Sequence, residues 1–235
     1  MLERAREAGI ERILVPGWDV ASSEAALQLA SRYPGFIEAA VGVHPHDAAA
    51  TDEAAWAGLE ALAADPSVRA IGETGLDNVR LHSSPDVQRA AFDRQLELAG
   101  RLGLPVLVHD REAHGDIEAA LLAWDGRPGS EARGVLHAFS GDASMAERLS
   151  AAGYLVSFAL PVAFRSAIGP RAAAAALEDG RFLVETDAPY LGPDRERVNE
   201  PTTALRVVAE LARLRGTTPD ALIAPIRGAF ERLIN

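Results

Sequence analysis

Four side chains that can bind a metal ion follow four short apolar segments of the sequence. Glu73, His109, His137 and Asp187 each lie within three residues of the end of a run that is typical of a buried strand. Two imidazoles and two carboxylates at one edge of a sheet would form a nitrogen and oxygen ligand set suited to Zn²⁺, Mn²⁺ or Mg²⁺. One such residue is usually structural, but four at four strand ends favour a metal centre. The sequence therefore predicts that these four residues are metal ligands.

The composition removes most other kinds of active site. The 235-residue chain has no cysteine, and all 23 of its basic residues are arginines. Thiol nucleophiles, disulfides, Schiff-base lysines and Walker-type phosphate loops are therefore excluded. The net charge of −11 argues against a broad basic face for nucleic acid, so DNA or another phosphoester substrate would need local positive charge from bound cations. The sequence contains neither a run of about 18 apolar residues nor a signal peptide, which predicts a cytoplasmic protein with no membrane partner.

Strand and helix patterns alternate along the whole chain. Helix-period apolar positions and end signals predict a helix over Pro85–Leu102, with Ser84 before it and Gly103 after it. The alternation indicates either a closed barrel or an open doubly wound sheet, and the absence of a GxGxxG motif after the first strand favours the barrel. We expect one domain over residues 1–235, a TIM-type (β/α)8 barrel. The predicted strands are Ile13–Pro16, Ile37–Val43, Ala70–Gly72, Pro105–Val108, Gly134–Leu136, Tyr154–Phe158 and Phe182–Val184.

Six motifs resemble, in order and spacing, those of TatD-related deoxyribonucleases. They read VGVHPHDA, AIGETGLD, LGLPVLVHDREA, GVLHAFSG, LVETDAPYLGP and RVNEP, and they cover almost the whole chain. The resemblance implies a (β/α)8 metal-dependent hydrolase in which Glu73 bridges two metal ions and His109, His137 and Asp187 are terminal ligands. Two ions would activate a water and stabilise phosphoryl oxygens, and Asp187 would accept a proton from that water. Glu73 and Asp187 are therefore also the expected catalytic residues.

Other polar residues near the strand ends are candidates for substrate binding. His44 and His46 are spaced like a ligand pair, but they follow the second predicted strand, and in the resembled family the first histidine of such a motif lies near substrate. Arg111 can hold a phosphate oxygen bidentately or pair with a neighbouring acid. Ser140 can donate to substrate. We expect His44, Arg111 and Ser140 to contact substrate.

The roles of three further positions stay open. Asp77 can orient a ligand or cap the following turn. Arg195 and Arg197 can touch substrate or be solvated.

The resemblance is incomplete at the N-terminus. The family's first strand ends in Asp-x-His-x-His and supplies two ligands to one metal, and this chain shows seven strands and no such motif. The expectation is a barrel with the first strand missing. A complete family site holds two divalent ions, and we expect one in this chain. The leading hypothesis is a deoxyribonuclease that trims DNA ends. The alternatives are a hydrolase of an ester or amide bond such as an aminoacyl-RNA ester, a non-catalytic remnant with one metal at most, and a barrel that only binds a phosphorylated metabolite.

Overall fold

The computed structural model describes residues 1–192 and 198–235. Within them, strands and helices alternate as the sequence predicts, and hydrogen-bonded strands follow chain order from the first to the seventh. The helices are α1 (Leu2–Glu7), α2 (Val20–Arg32), α3 (Glu53–Ala63), α4 (Pro85–Leu102), α5 (His114–Ala123), α6 (Ala143–Ala151), α7 (Ile168–Ala176), α8 (Ala204–Arg215) and α9 (Pro219–Ile234). The strands are β1 (Ile13–Pro16), β2 (Ile37–Val41), β3 (Val68–Asp77), β4 (Val106–Arg111), β5 (Gly134–Leu136), β6 (Tyr154–Phe158) and β7 (Phe182–Val184).

The arrangement confirms the predicted fold class. Parallel strands that pair in chain order and alternate with helices are those of a TIM-type (β/α)8 fold, and the described residues contain seven strands. Residue contacts divide the chain into two compact units. The first unit comprises Arg12–Val135 with Ile234–Asn235, and the second comprises Met1–Glu11 with Leu136–Leu233. No helix in the described ranges is long and apolar enough to span a membrane.

The first unit contains four parallel strands, β1 to β4, packed against helices. All five residues of β2 are buried, as a strand covered on both faces should be. On α4, the residues Phe92, Leu96 and Ala99, which recur at helix period, are buried. Gly103 ends this helix in the left-handed conformation that glycine adopts readily. The α4 prediction is therefore confirmed at both ends.

The third strand is longer than the sequence predicts and contains an irregularity. The prediction ended at Gly72, but β3 continues to Asp77 because Thr74 to Asp77 pair in parallel with Val108 to Arg111 of β4. The register shifts between Ile71 and Thr74, so Gly72 and Glu73 form a bulge. Bulges re-aim side chains and are common beside active sites. Glu73 and His109 therefore lie within strands rather than just beyond them.

The second unit contains the parallel pair β6 and β7, with Phe158 aligned to Val184. Tyr154, Phe158 and Phe182 are fully buried in its core. Parallel strands end at the same edge of a sheet, so the segments that follow β6 and β7 emerge side by side.

Candidate metal centre

Two neighbouring strands of the first unit place Glu73 beside His109. Glu73 lies in the β3 bulge, and its backbone N–H donates to the carbonyl of Gly17 at 2.8 Å. His109 lies in β4, opposite Gly75. A side chain at Gly75 would come within 2.0 Å of the His109 carbonyl oxygen, so only glycine lets these strands approach so closely. The result is a distance of 3.0 Å between Glu73 Oε1 and His109 Nδ1.

A third candidate ligand comes from the loop after β2. His44 Nε2 lies 3.3 Å from the same Glu73 oxygen, and the three ligand atoms of His44, Glu73 and His109 all lie within 4.8 Å of one another. Two ligand atoms that bind the same ion at about 2.1 Å in tetrahedral geometry are about 3.4 Å apart. The three side chains are only 12 to 16% exposed. In spacing and donor type, this group can therefore hold a divalent cation.

The hydrogen bonds of His44 constrain what its ring can do. The backbone N–H of His46 donates to His44 Nδ1 at 3.1 Å. A neutral ring that accepts at Nδ1 carries its proton at Nε2. The Nε2 atom that faces Glu73 is then a hydrogen-bond donor and has no lone pair for a metal ion.

Asp77, at the end of β3, is the buried carboxylate beside this group. Its Oδ2 accepts from His46 Nε2 at 2.7 Å and lies 3.4 Å from His109 Nε2. Burial raises the pKa of Asp77, but hydrogen bonds from the backbone of Arg80 and Val79 and from His46 outweigh it and lower the pKa to about 2. Burial lowers the pKa of His46 by more than the Asp77 hydrogen bond raises it. The pair is thus an ionised carboxylate and a neutral imidazole near pH 7.

The second unit holds the other two predicted ligands at the ends of β5 and β7. His137 Nδ1 lies 3.3 Å from Glu185 Oε1, which also accepts from the Ala138 backbone N–H at 3.0 Å. Ala138 and Asp187 both have left-handed backbone, with φ of 44° and 55°. Such strained residues cluster at functional sites. Sequence reasoning missed the role of Glu185, although its place two residues before Asp187 was a signal.

The loop after β7 is held by Asn199. Its side-chain amide donates to the carbonyls of Thr186 and Tyr190, both at 2.6 Å. This contact fixes the segment that carries Asp187. Arg195 and Arg197, whose contact with substrate was left open, lie outside the described residues.

The predicted substrate contacts are on or next to strand ends. Arg111 is the last residue of β4, and it forms no salt bridge with any residue that the structure describes. Asp110, a neighbouring acid, accepts from His114 Nδ1 at 2.8 Å instead of pairing with Arg111. Ser140 is exposed in the loop after β5. Both side chains are available for a ligand.

Comparison with known proteins identifies the family of the chain. A family model described as "TatD related DNase" matches residues 1–235. The chain belongs to the TatD-related DNase family. A relative from Edwardsiella piscicida, named 3'-5' ssDNA/RNA exonuclease TatD, is 39% identical over an alignment of 223 residues that covers 92% of this chain and 84% of that protein. A Bacillus subtilis relative named metal-dependent hydrolase YabD is 35% identical over 93% of this chain and 85% of its own. This TatD-family chain is a metal-dependent hydrolase.

The TatD fold is also found in a solved structure. The crystal structure of YjjV, a TatD homologue from Escherichia coli, superposes with a TM-score of 0.92 at 31% identity, over 100% of this chain and 90% of that one. The seven-stranded arrangement is thus that of a TatD protein over nearly its whole length.

Proposed function

We propose that the chain is a 3'-5' exonuclease that removes nucleotides from single-stranded DNA or RNA at a divalent-metal centre. Family membership makes it a hydrolase, and two curated relatives at 39 and 40% identity carry the exonuclease name. The observation that carries the proposal is the 3.0 Å approach of Glu73 Oε1 to His109 Nδ1 in β3 and β4. A carboxylate and an imidazole held by rigid strands form a preorganised ligand pair.

We propose Glu73, His109, His137 and Asp187 as the ligands. His109 turns Nδ1 toward Glu73, and His137 turns Nδ1 toward Glu185. A contact from the second nitrogen of a ligating histidine, such as that of His137 Nδ1 with Glu185, usually fixes its tautomer. A divalent ion in such a site supplies an activated water and stabilises charge on phosphoryl oxygens.

The remaining residues bind substrate and move protons. Asp187 accepts the proton of the attacking water at a carboxylate oxygen. His44 donates from Nε2, because its Nδ1 accepts from the His46 backbone. We propose that this N–H group donates to a phosphate oxygen of the substrate, and that the hydroxyl of Ser140 donates to the substrate as well. Arg111, which has no ion-pair partner among the described residues, holds a phosphate oxygen with its planar guanidinium.

The test compares substrates and ligand variants. Purified protein with Mg²⁺ or Mn²⁺ is expected to shorten single-stranded DNA and RNA stepwise from the 3' end, and chelator should stop the reaction. Glu73→Gln and Asp187→Asn should each lose activity by about 100-fold or more. Glu24→Gln and Asp220→Asn make the same chemical changes at exposed helix positions and serve as matched controls.

A second set of substrates addresses the alternative hydrolase chemistry. An aminoacyl-RNA ester and a simple carboxylic ester are offered under the same conditions. Turnover of the esters without release of nucleotides would overturn the exonuclease assignment. Undiminished nuclease activity in both ligand variants would overturn the proposed site.

A further inference from the structure

The loop after β3, residues 78–82, is exposed at the edge of the sheet that carries the candidate metal centre. All five of its residues are exposed, whereas Asp77 before the loop and Ser83 after it are buried. The side chain of Gln88 holds both ends, because its amide group donates to the carbonyl of Asp77 at 3.1 Å and to that of Ser83 at 2.9 Å. The loop is therefore short, anchored at both ends and open to a ligand.

Contacts at both ends of the loop connect it to the proposed site. The backbone N–H of Asn78 donates to the carbonyl of Arg111, the last residue of β4, at 2.9 Å. At the other end, the ring of His82 lies 4.8 Å from that of His46, which lies 4.3 Å from that of His44. The loop is thus continuous with side chains that we propose bind metal and phosphate.

Arg80, in the middle of this loop, is a positive charge that no acid neutralises. The loop contains no acidic residue, and among the described residues Arg80 has no ion-pair partner. Its neighbours Val79 and Leu81 are more than half exposed, so apolar side chains flank the guanidinium. Other arginines of the same unit do pair with carboxylates, namely Arg12, Arg69, Arg89, Arg94 and Arg101. In a chain of net charge −11, the Arg80 guanidinium is therefore a local site for an anion.

We propose that Arg80 binds a second phosphate of a single-stranded nucleic acid, further along the strand than the phosphate at the metal centre. The inference rests on the proposed function and extends the contact from one phosphate to two. The bond between Asn78 and Arg111 joins the loop to the proposed contact for the first phosphate. The backbone N–H groups of Val79 and Arg80 both donate to Asp77 Oδ1 at 2.8 Å, so little backbone ordering is needed on binding. The protein should therefore prefer substrates with two or more phosphodiester linkages.

The first measurement compares substrates of different length. A thymidine dinucleotide has one linkage, and a thymidine decamer offers a second phosphate to Arg80. In Arg80→Gln, the ratio of kcat/KM for the decamer to that for the dinucleotide should fall by about 10-fold, as expected for one charged contact. Arg80→Lys keeps the charge but not the planar fork, so it should recover part of the loss. A ratio equal to that of the wild type in Arg80→Gln would overturn the proposal.

Arg32 provides the matched control. It is exposed and has no ion-pair partner among the described residues. It ends α2 just before β2 begins, which places it at the opposite edge of the sheet from the metal centre. Arg32→Gln makes the same change of charge and should leave the ratio unchanged. Equal losses in the two variants would overturn the proposal, because the effect would then come from net charge alone.

Neutral linkages locate the contact on the substrate. A methylphosphonate removes the negative charge of one linkage, and it is placed in turn at each linkage beyond the scissile one. In the wild type, one of these positions should raise KM about as much as Arg80→Gln does, and the two losses should not add because they remove the same contact. Losses that add at every position would show that Arg80 contacts none of these phosphates.

A binding measurement separates the inference from the proposed function. A labelled decamer with phosphorothioate linkages keeps its charges and resists hydrolysis, so its Kd can be measured with Mn²⁺ present at several salt concentrations. One phosphate contact on a single strand contributes about 0.7 to the slope of log Kd against log salt, and Arg80→Gln should lose that amount. A protein that binds through Arg80 but hydrolyses no nucleic acid would keep the inference and lose the exonuclease assignment. A nuclease with the same slope and Kd in Arg80→Gln would keep its function and lose the inference.

Discussion

Replacing Gly72 with alanine is expected to displace Glu73 and weaken the metal centre. A Cβ at Gly72 would lie 2.5 Å from the carbonyl oxygen of Leu107 and 2.7 Å from its Cβ. Carbon atoms pack at about 3.5 Å or more, so the backbone must move by about 0.8 Å. Metal–ligand distances vary by only about 0.2 Å in a working site. The shift is therefore larger than the site can absorb.

The expected result is a loss of about 100-fold in nuclease activity, the cost of a misplacement near 1 Å. The φ of 151° at Gly72 is also unfavourable for alanine and should add about 1–3 kcal/mol of destabilisation. Gly35→Ala is the matched control, because Gly35 has a φ of 74° in the same unit and nothing within 4 Å of an added Cβ. It should lose about 1 kcal/mol and no activity.

The assays are Mn²⁺ calorimetry, urea unfolding and release of nucleotides from labelled single-stranded DNA. Wild-type Mn²⁺ affinity and activity in Gly72→Ala would refute the claim that the bulge aims Glu73. Equal losses of activity in Gly72→Ala and Gly35→Ala would refute it as well, because the effect would then come from backbone strain alone.

Three further predictions concern other residues. His44→Phe should lower kcat by about 100-fold and leave Mn²⁺ affinity unchanged, because it removes a donor; a loss of affinity as large as that of His109→Phe would show that His44 is a ligand. Arg111→Lys should raise KM for single-stranded DNA about 10-fold, since lysine cannot bind phosphate bidentately; an unchanged KM would remove Arg111 from the binding site. The pKa of Glu210 is lowered to about 2, first by the hydrogen bond from Arg213, so its stabilisation is present above about pH 4.5 and lost as pH falls toward 2. Arg213 is 61% exposed, so we expect Glu210→Gln to lose only about 1–2 kcal/mol by urea unfolding at pH 7, and equal stability at pH 7 would contradict this.

The elements that local sequence specifies were predicted well. The bounds of β5, β6 and β7 match the prediction because each is a short apolar run with turn residues on both sides. The start of α4 was marked by Pro85 at the first helical position. The length of β3 was not predictable, since its bulge depends on pairing with β4 and on a hydrogen bond from Glu73 to Gly17. These contacts join residues far apart in the chain.

The candidate site, like the fold, could be predicted from the sequence only in part. Residue type and position after apolar runs were enough to select Glu73 and His109, which the structure brings together. The alternatives for Asp77, orienting a ligand or capping a turn, could not be separated from sequence. Both contacts exist, one at each carboxylate oxygen, and the one to the proposed ligand His109 joins residues 32 positions apart.

The account is tested most directly by locating the ion. Crystals soaked in Mn²⁺ and measured at the manganese absorption edge should show an anomalous peak about 2.0–2.3 Å from both Glu73 Oε1 and His109 Nδ1. His44 Nε2 should lie outside the coordination sphere. Absence of a peak at Glu73, or a manganese ion bound by His109 through Nε2 or by His44, would contradict the proposed centre.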